Sequence, residues 1–522
     1  MATLPDEPSA ARARALAALA QDLMLEGRFE DSAGLAEQAR AVAEAVGQPA
    51  LAEYGHATCT LGVDVAYMGQ LARGLELLET ATNSSRRAGR LDDVIRAYAN
   101  RTTLLDLDTR REEALAVVKD GIAEASASGL GLTYGAFLRG NAADILFQLG
   151  RWQEAEEECR AALEFPPAGV AWFSPLLYLS LVLVESRADD EAARLVGRTL
   201  LQLESVPAGQ WSALVQRAAV SLALWRGDMA DARRAAANGW RQVLETDDAS
   251  QIAASAATVL EVCSASAEAA RLRRDWAALA EAGELAEQVI GPAERRLAQH
   301  ELPPTLGARR EAQLQLETAR AHEARLRGRD KPALWAGLAD AWSAANVPYQ
   351  AAKCHWWRAA AALHAAAAGE RPMRREARRA LHAALEIANR LPARPLRRAL
   401  LDLAARGRLT LPEGEDIGVP VMAPRPAQPV LVARPPAGVA IAERLAEPAP
   451  PSVTRFGLSP RENAVLEILT EGRTNREIAE RLFISERTVA VHVRRILAKL
   501  GVSGRVEAAG LAIRLDLENR EQ

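Results

Sequence analysis

The sequence predicts an all-α protein, in which an α-solenoid of helical hairpins precedes a small domain of four helices. Short turns that contain glycine or aspartate recur from about Ala10 to Arg406, at a spacing of about 40 residues. A proline-rich stretch then breaks the pattern, and three helix-capping sequences follow it. Stacked hairpins of this length are typical of an α-solenoid, because each hairpin buries its apolar face only against its neighbours.

The recurring turn is predicted to join the two helices of one hairpin. Gly27 and Gly69 lie 42 residues apart, and the step from Gly69 to Gly150 is 81 residues, close to twice that spacing. An aromatic or aliphatic residue follows the turn, and the next helix begins there. The turns are Gly27-Arg28-Phe29, Gly69-Gln70-Leu71, Gly150-Arg151-Trp152, Gly227-Asp228-Met229, Arg274-Asp275-Trp276 and, more loosely, Gly328-Arg329-Asp330. We expect eight or nine hairpins, with less regular spacing after Trp240.

The clearest hairpin surrounds Gly150. Its first helix ends with Leu146 and Leu149, Trp152 follows the turn, and the second helix has apolar residues at i, i+4, i+7 and i+8. These residues are Ala155, Cys159, Ala162 and Leu163. The region resembles tetratricopeptide-type repeats, and more closely the helical-repeat sensor region of MalT-like regulators. The resemblance implies that the concave surface binds a partner protein, a peptide or a small effector, whose identity stays open.

Four of the ten tryptophans lie near the end of this region. They are Trp335, Trp342, Trp356 and Trp357. Tryptophans on a concave surface could stack on a ligand, whereas aromatic residues at helical spacing more often belong to a core. Both interpretations stay open, and the core is favoured.

Several classes of site are not predicted. The four cysteines (Cys59, Cys159, Cys263 and Cys354) are widely spaced, so we expect buried free thiols in a reducing cytoplasm. Cys354-His355 lacks the further ligands of a zinc site. None of the four lysines follows a glycine, which excludes a Gly-Lys-Ser/Thr phosphate loop from this sequence. We therefore predict no enzyme activity, no cofactor and no metal.

MalT-like regulators place an ATPase domain before their repeats, and that domain needs such a phosphate loop. The chain is accordingly either a short relative without the ATPase domain or the counterpart of the carboxyl half of a longer ancestor. The amino terminus lacks the apolar core of a signal peptide, and the most apolar stretch, Leu176–Val184, is too short to span a bilayer. We predict a cytoplasmic protein with no membrane partner.

The composition changes between Leu409 and Ser452, which contain ten of the chain's 26 prolines. Such a stretch is expected to form a semi-extended linker. The predicted domains are therefore 1–407 for the helical-repeat sensor or interaction domain, 408–454 for the linker and 455–522 for the four-helix domain.

Three helix starts are marked after the linker. Ser459-Pro460-Arg461-Glu462 and Thr474-Asn475-Arg476-Glu477 are capping boxes, and Ser485 caps a third helix that ends before Gly501. Only Phe483-Ile484-Ser485 separates the second helix from the third. Such a short connection is typical of a helix-turn-helix.

The third helix has two distinct faces. Val489, Val493, Ile496 and Leu500 form one apolar stripe at about 100° per residue. The opposite face carries Arg487, Val491, Arg494, Arg495 and Ala498. Arginine forks pair with guanine and small apolar groups meet thymine methyls in a major groove. Arginines alone more often mark a solvated face, but the caps, the short turn and the divided faces together favour binding to double-stranded DNA.

The segment resembles the C-terminal DNA-binding domain of LuxR-type bacterial transcription regulators. Matching stretches are Leu458-x-x-Arg461-Glu462, Thr474-Asn475-x-Glu477-Ile478-Ala479 and Lys499-Leu500-Gly501-Val502. The resemblance implies a homodimer through the fourth helix, at about Ser503–Leu515. It implies base contacts from Ala490, Val491 and Arg494, and backbone contacts from Asn475, Ser485, Thr488, His492, Arg495, Lys499 and Arg505. The family often has lysine where this chain has Ala490, so we expect one polar base contact to be absent.

These features together predict a DNA-binding transcription regulator controlled by its helical repeats. The alternative is a helical-repeat interaction scaffold whose DNA-binding domain is vestigial. The net charge of −4 gives the whole chain no basic field, so the basic excess expected of a DNA-binding protein is confined to the four-helix domain.

Overall fold

The computed structural model describes residues 7–164, 172–203, 211–246, 248–299, 306–370 and 372–410, and eight residues farther on. These eight are Val465, Leu466, Leu469, Thr474, Ile478, Val489, Val493 and Ile496. The chain divides into two units, Met1–Pro412 and Glu413–Gln522. The predicted linker lies almost wholly outside the described residues, so the three predicted domain boundaries stay predictions.

The described part of the first unit is built from α-helices joined by short turns, which confirms the predicted fold class. Two non-α turns, at Gln48–Ala50 and Gly131–Gly135, accompany them. The helices are α1 Ala10–Leu25, α2 Phe29–Val46, α3 Leu51–Tyr67, α4 Leu71–Arg87, α5 Leu91–Leu107, α6 Arg111–Ala127, α7 Ala136–Gln148, α8 Trp152–Leu163, α9 Phe173–Ser186, α10 Asp190–Leu203, α11 Ser212–Arg226, α12 Met229–Leu244, α13 Ala249–Arg273, α14 Trp276–Gln299, α15 Leu306–Leu326, α16 Pro332–Ala344, α17 Pro348–Ala367, α18 Met373–Arg390 and α19 Arg394–Arg406.

The predicted turns lie where the sequence placed them. Helices α2, α4, α8, α12 and α14 each begin at the residue that follows the turn. The turn residue has a positive φ, and the next residue donates its N–H to the carbonyl five positions earlier. Arg151, for example, donates to Leu146 at 2.8 Å. This Schellman geometry satisfies carbonyls that the end of the helix leaves unpaired.

The same turn also occurs at places that the sequence pattern did not indicate. Thr109 and Asn346 adopt the left-handed conformation without being glycine, and the residue after each donates to the carbonyl five positions earlier. Gly89 and Gly129 form equivalent turns between hairpins rather than within them. One geometry therefore serves both kinds of connection.

The hairpin around Gly150 has the predicted apolar face. Leu146, Trp152, Ala155, Cys159 and Ala162 are buried, and two further predicted residues are half-buried. All four cysteines are free and buried, which confirms that prediction.

The spacing changes after α12, as expected. Helix α13 packs extensively against both α14 and α15, whereas α15 makes few contacts with α16. Leu260, Val289 and Leu316, from three successive helices, share one buried cluster. Among the described residues, α13 is the helix long and apolar enough to match a membrane span, although the sequence singled out only Leu176–Val184. Its apolar window is 67% buried inside the protein, as in the core helix of a helical array.

The first unit also closes on itself. Residues of α5–α11 and of α17–α19 contribute to a single buried cluster. The ring of Trp152 in α8 lies 5.0 Å from that of Tyr349 in α17, edge to face. Arg111 at the start of α6 donates to the carbonyl of Ala345 at 2.9 Å and to Glu311 at 2.7 Å. Early and late helices therefore enclose a common interior.

Replacing Gly150 with alanine tests this closure. Gly150 has a φ of 77°, and an added Cβ would collide with Leu391 and lie 3.0 Å from Pro348, both from the late helices. Gly27 has nearly the same φ, 78°, but an added Cβ meets nothing within 4 Å. We expect Gly27→Ala to lower the free energy of unfolding by about 1–2 kcal/mol, through backbone strain alone.

Gly150→Ala should cost about 1–3 kcal/mol more than this control, because the side chains of Leu391 and Pro348 must shift away from the added Cβ. Urea denaturation of both full-length variants measures the difference. Equal losses for the two variants would contradict the packing of the late helices onto the Gly150 turn.

Candidate nucleic-acid interface and interior cavity

The described residues of the second unit agree with the apolar pattern of the sequence. Val465, Leu466 and Leu469 are helical and buried, as is Ile478. Ile478 donates its N–H to the carbonyl of Thr474 at 2.9 Å, which is the first helical hydrogen bond after the predicted cap.

The apolar stripe predicted for the third helix is also buried. Val489 and Ile496 are fully buried and Val493 is half-buried, all three in helical backbone. Leu500 lies outside the described residues. The three positions fit a helix that packs on this side.

The residues predicted to contact DNA all lie outside the described residues. This applies to Ala490, Val491 and Arg494 for bases, and to Asn475, Ser485, Thr488, His492, Arg495, Lys499 and Arg505 for the backbone. It applies also to the predicted dimer helix, 503–515. These assignments therefore stay predictions.

The first unit contains a cavity of about 230 Å³, the interior cavity, which is partly open to solvent. Its walls come from α5, α6, α7, α11, α13, α15, α16 and α17, so early and late helices both contribute. Much of the lining is polar, including Gln251, Gln315 and Gln350. A neighbouring cavity of about 200 Å³ shares Glu261, Lys353 and two other residues with it.

Two ion pairs lie on the cavity walls. Lys353 Nζ is 2.7 Å from Glu261 and 5.1 Å from the ring centre of Trp357. Arg111, which is only 2% exposed, lies 2.7 Å from Glu311 and 3.3 Å from Asp106. A buried cation needs such partners, because removing one partner of a buried pair typically costs about 3–5 kcal/mol.

A histidine also faces this interior. His322 is buried, and its Nδ1 lies 2.9 Å from Ser264 Oγ. Burial lowers the pKa of His322 well below its ordinary value, and the charges of Lys353 and Arg325 lower it further, so the ring is neutral. Its Nε2 has no hydrogen-bond partner among the described residues.

Trp335, Trp342 and Trp357 belong to one buried cluster, in agreement with the core interpretation. Trp335 and Trp342 are buried, and Trp342 Nε1 donates to Thr318 Oγ1 at 3.1 Å. Trp335 lies 4.9 Å from Trp357 and belongs to the core. Trp342 and Trp357, however, line the interior cavity as well. Trp356 stacks on Trp225 with 6.0 Å between ring centres.

The charged residues of the cavity were not identified from the sequence. Arg111 and Glu311 are 200 residues apart, so no local pattern relates them. Glu261 could have been identified as a candidate, because it is a single charged residue within the apolar stretch of α13. Within the described ranges, no group of three or more histidine, cysteine, aspartate or glutamate side chains is arranged to hold a metal ion.

Asp106 makes the stability of this region sensitive to pH. Burial raises the pKa of Asp106 from 3.8 to about 7, the charge of Asp144 adds to the rise, and Arg111 opposes it. A carboxyl group with a raised pKa in the folded state contributes stability that is fully present below its unfolded value. That contribution is lost as the pH rises through about 7.

We expect the free energy of unfolding to fall between about pH 4 and about pH 7, and Asp106→Asn to flatten this fall. Urea denaturation across this range measures the slope. Asp120→Asn, at an exposed position of α6, is the control. A slope that Asp106→Asn leaves unchanged would assign the pH dependence to another group.

A family profile described as "Bacterial regulatory proteins, luxR family" matches residues 457–512. The transcriptional activator DevR/DosR of Mycobacterium tuberculosis is 48% identical over 59 residues, which are 11% of this chain and 27% of that protein. The spore germination protein GerE of Bacillus subtilis is 45% identical over 58 residues, 11% of this chain and 78% of that protein. The chain thus spans about a quarter of the length of DevR/DosR, but most of GerE.

The helices α1–α19 of the first unit form a helical array. This array is similar in fold to a solved structure of a Rap protein complexed with competence and sporulation factor. The similarity covers 76% of this chain and 98% of that chain, with a TM-score of 0.43 and 9% sequence identity.

Proposed function

We propose that this chain, which carries a domain of the luxR family of bacterial regulatory proteins, is a DNA-binding transcription regulator controlled by its helical array. The observation that carries the proposal is the match of residues 457–512 to that family. The matched segment covers most of GerE, so it corresponds to a nearly complete domain rather than to an isolated motif. The buried residues at 465, 466, 478, 489 and 496 support a packed helical domain there.

We propose that contacts of individual side chains, rather than the overall charge of the domain, determine the affinity for DNA. Between Phe456 and Leu515 there are ten basic and seven acidic side chains, a net excess of only three positive charges. Phosphate neutralisation alone gives salt-sensitive binding without sequence preference. We propose that Arg494 reads a base edge beside Ala490 and Val491.

The remaining predicted residues are proposed to hold the DNA backbone. They are Asn475, Ser485, Thr488, His492, Arg495, Lys499 and Arg505. Pairing of two chains through the helix at 503–515 would double these contacts. A two-fold symmetric operator would follow from such a dimer, because half-sites mirror the symmetry of the protein.

The array is proposed to act as the controlling part, joined to the DNA-binding domain by the proline-rich linker at 408–454. Its polar interior cavity is a place where a ligand could bias the array between two states. The proposal includes no catalytic reaction, and it places the protein in the cytoplasm with the chromosome.

Residues that contact bases and residues that contact the DNA backbone are expected to affect binding by the full-length chain in different ways. Arg494→Ala should lose about 1–3 kcal/mol of discrimination between the operator and unrelated DNA, because a bidentate base contact is removed. Lys499→Ala should weaken binding to all sequences similarly and lower the slope of affinity against salt by about one unit. Electrophoretic mobility shifts on the region upstream of the chain's own gene, at several salt concentrations, measure both effects.

An intact operator preference in Arg494→Ala would show that the third helix is oriented differently. If the wild-type chain binds this region no better than unrelated DNA at every salt concentration, the scaffold alternative gains instead. In that alternative the array works by sequestering a partner protein.

A further inference from the structure

We propose that the interior cavity binds a small organic monocarboxylate through Arg217. Binding at this cavity is independent of the DNA-binding domain, whereas a role of this ligand as the effector rests on the proposed function. The proposal comes from the arrangement of charges around the cavity.

Arg217 lies on the cavity wall in α11 with most of its hydrogen-bonding capacity unused. Its one ion pair, with Glu185, is long, at 3.7 Å. No hydrogen bond joins the guanidinium to any described residue, although its centre lies 5.3 Å above the ring of Phe147. An arginine has five N–H donors in a planar fork that matches a carboxylate.

Glu185 does not satisfy Arg217, because neutral donors already surround its carboxylate. Ser221 Oγ donates at 3.1 Å, Trp225 Nε1 donates at 3.0 Å, and the hydroxyl of Tyr349 donates as well. Burial and the neighbouring Glu185 raise the pKa of Tyr349 well above its ordinary value, so this hydroxyl keeps its proton. The fork of Arg217 therefore remains available on the side of the cavity.

The other two cations of the cavity are already paired. Lys353 is held by Glu261, and Arg111 by Glu311, Asp106 and the carbonyl of Ala345. Arg217 is therefore the cation of this lining whose fork is still open to a ligand. A single fork matches one carboxylate, whereas a phosphate dianion would bring a second charge without a partner.

The volume and the lining of the cavity limit the size and the chemistry of the part of the ligand that is not its carboxylate. Its volume of about 230 Å³ is below the roughly 300–1,000 Å³ of pockets for drug-sized molecules. The rings of Trp342 and Trp357 supply an apolar wall. The side-chain amides of Gln315 and Gln350 supply polar groups. A compact carboxylic acid with an apolar or aromatic body and one further polar group suits this lining.

Such a ligand would also reinforce the closure of the array. Arg217 belongs to α11, whereas Trp342, Gln350 and Trp357 belong to the late helices α16 and α17. A molecule held between the two groups binds the closed arrangement better than any opened one. It therefore stabilises the closed state in proportion to its occupancy.

Isothermal titration calorimetry of the full-length chain tests the site. The probes are benzoate, 4-hydroxybenzoate and pyruvate, with 4-hydroxybenzamide as the neutral analogue and inorganic phosphate as the dianion. We expect at least one carboxylate to bind at millimolar concentration or below, and the amide and phosphate to bind at least tenfold more weakly. We expect Arg217→Gln to weaken the bound carboxylate by about tenfold or more, because charge-assisted hydrogen bonds are lost.

Arg194→Gln, at an exposed arginine of α10, is the matched control and should bind like the wild type. Arg217→Lys keeps the charge without the fork and should bind with intermediate affinity. Circular dichroism melting identifies a variant that has failed to fold. If Arg217→Gln is unfolded, Arg217→Lys alone decides: wild-type affinity overturns the proposal, and weaker binding supports it.

Three other results would overturn the proposal. These are no binding by any of the three carboxylates, equal binding of phosphate, and unchanged carboxylate affinity in folded Arg217→Gln. Carboxylate binding that leaves the DNA affinity of the full chain unchanged would remove the effector role and keep the site. Absence of DNA binding with or without carboxylate would contradict the proposed function and leave the site standing.

Discussion

The architecture of the first unit depends on the buried guanidinium of Arg111. This group extends from the start of α6 to the late helices, where Ala345 and Glu311 accept its hydrogen bonds. In an open solenoid each repeat contacts only its neighbours, and stability is nearly a sum over repeats. A buried cation changes this, because removing its partners costs several kcal/mol of folding free energy. The early and late helices are therefore stable as one enclosed body.

The packing of the early helices against the late ones also forms the interior cavity. Glu185 of α9 accepts hydrogen bonds from Trp225 in α11 and from Tyr349 in α17. It therefore connects two early helices to a late one. Because these donors occupy the carboxylate, Arg217 remains incompletely paired at the cavity. The polar lining is therefore a direct result of how the array closes. A ligand held there acts on the closure itself, without any separate transmission pathway.

Much of the local structure was predictable from the sequence. Gly150-Arg151-Trp152 identifies a turn and the first residue of α8, because glycine readily adopts the left-handed conformation that ends a helix. The equivalent turns at Thr109 and Asn346 were missed, because non-glycine residues rarely adopt it and leave no pattern. The cavity was not predictable either. Arg111 and Glu311 meet across 200 residues, and helical periodicity records only contacts within a few turns. The DNA contacts of the second unit stay predictions.

We propose that a regulator with a closed helical array reads a DNA sequence through its luxR-family domain. In vitro selection with the full-length chain, from a duplex library of random sequence, tests this claim even though the operator sequence is not known in advance. We predict convergence on one motif with two-fold symmetry, enriched further in each round. A library that stays random after repeated selection at low salt, where even weak electrostatic binding is retained, would contradict the claim.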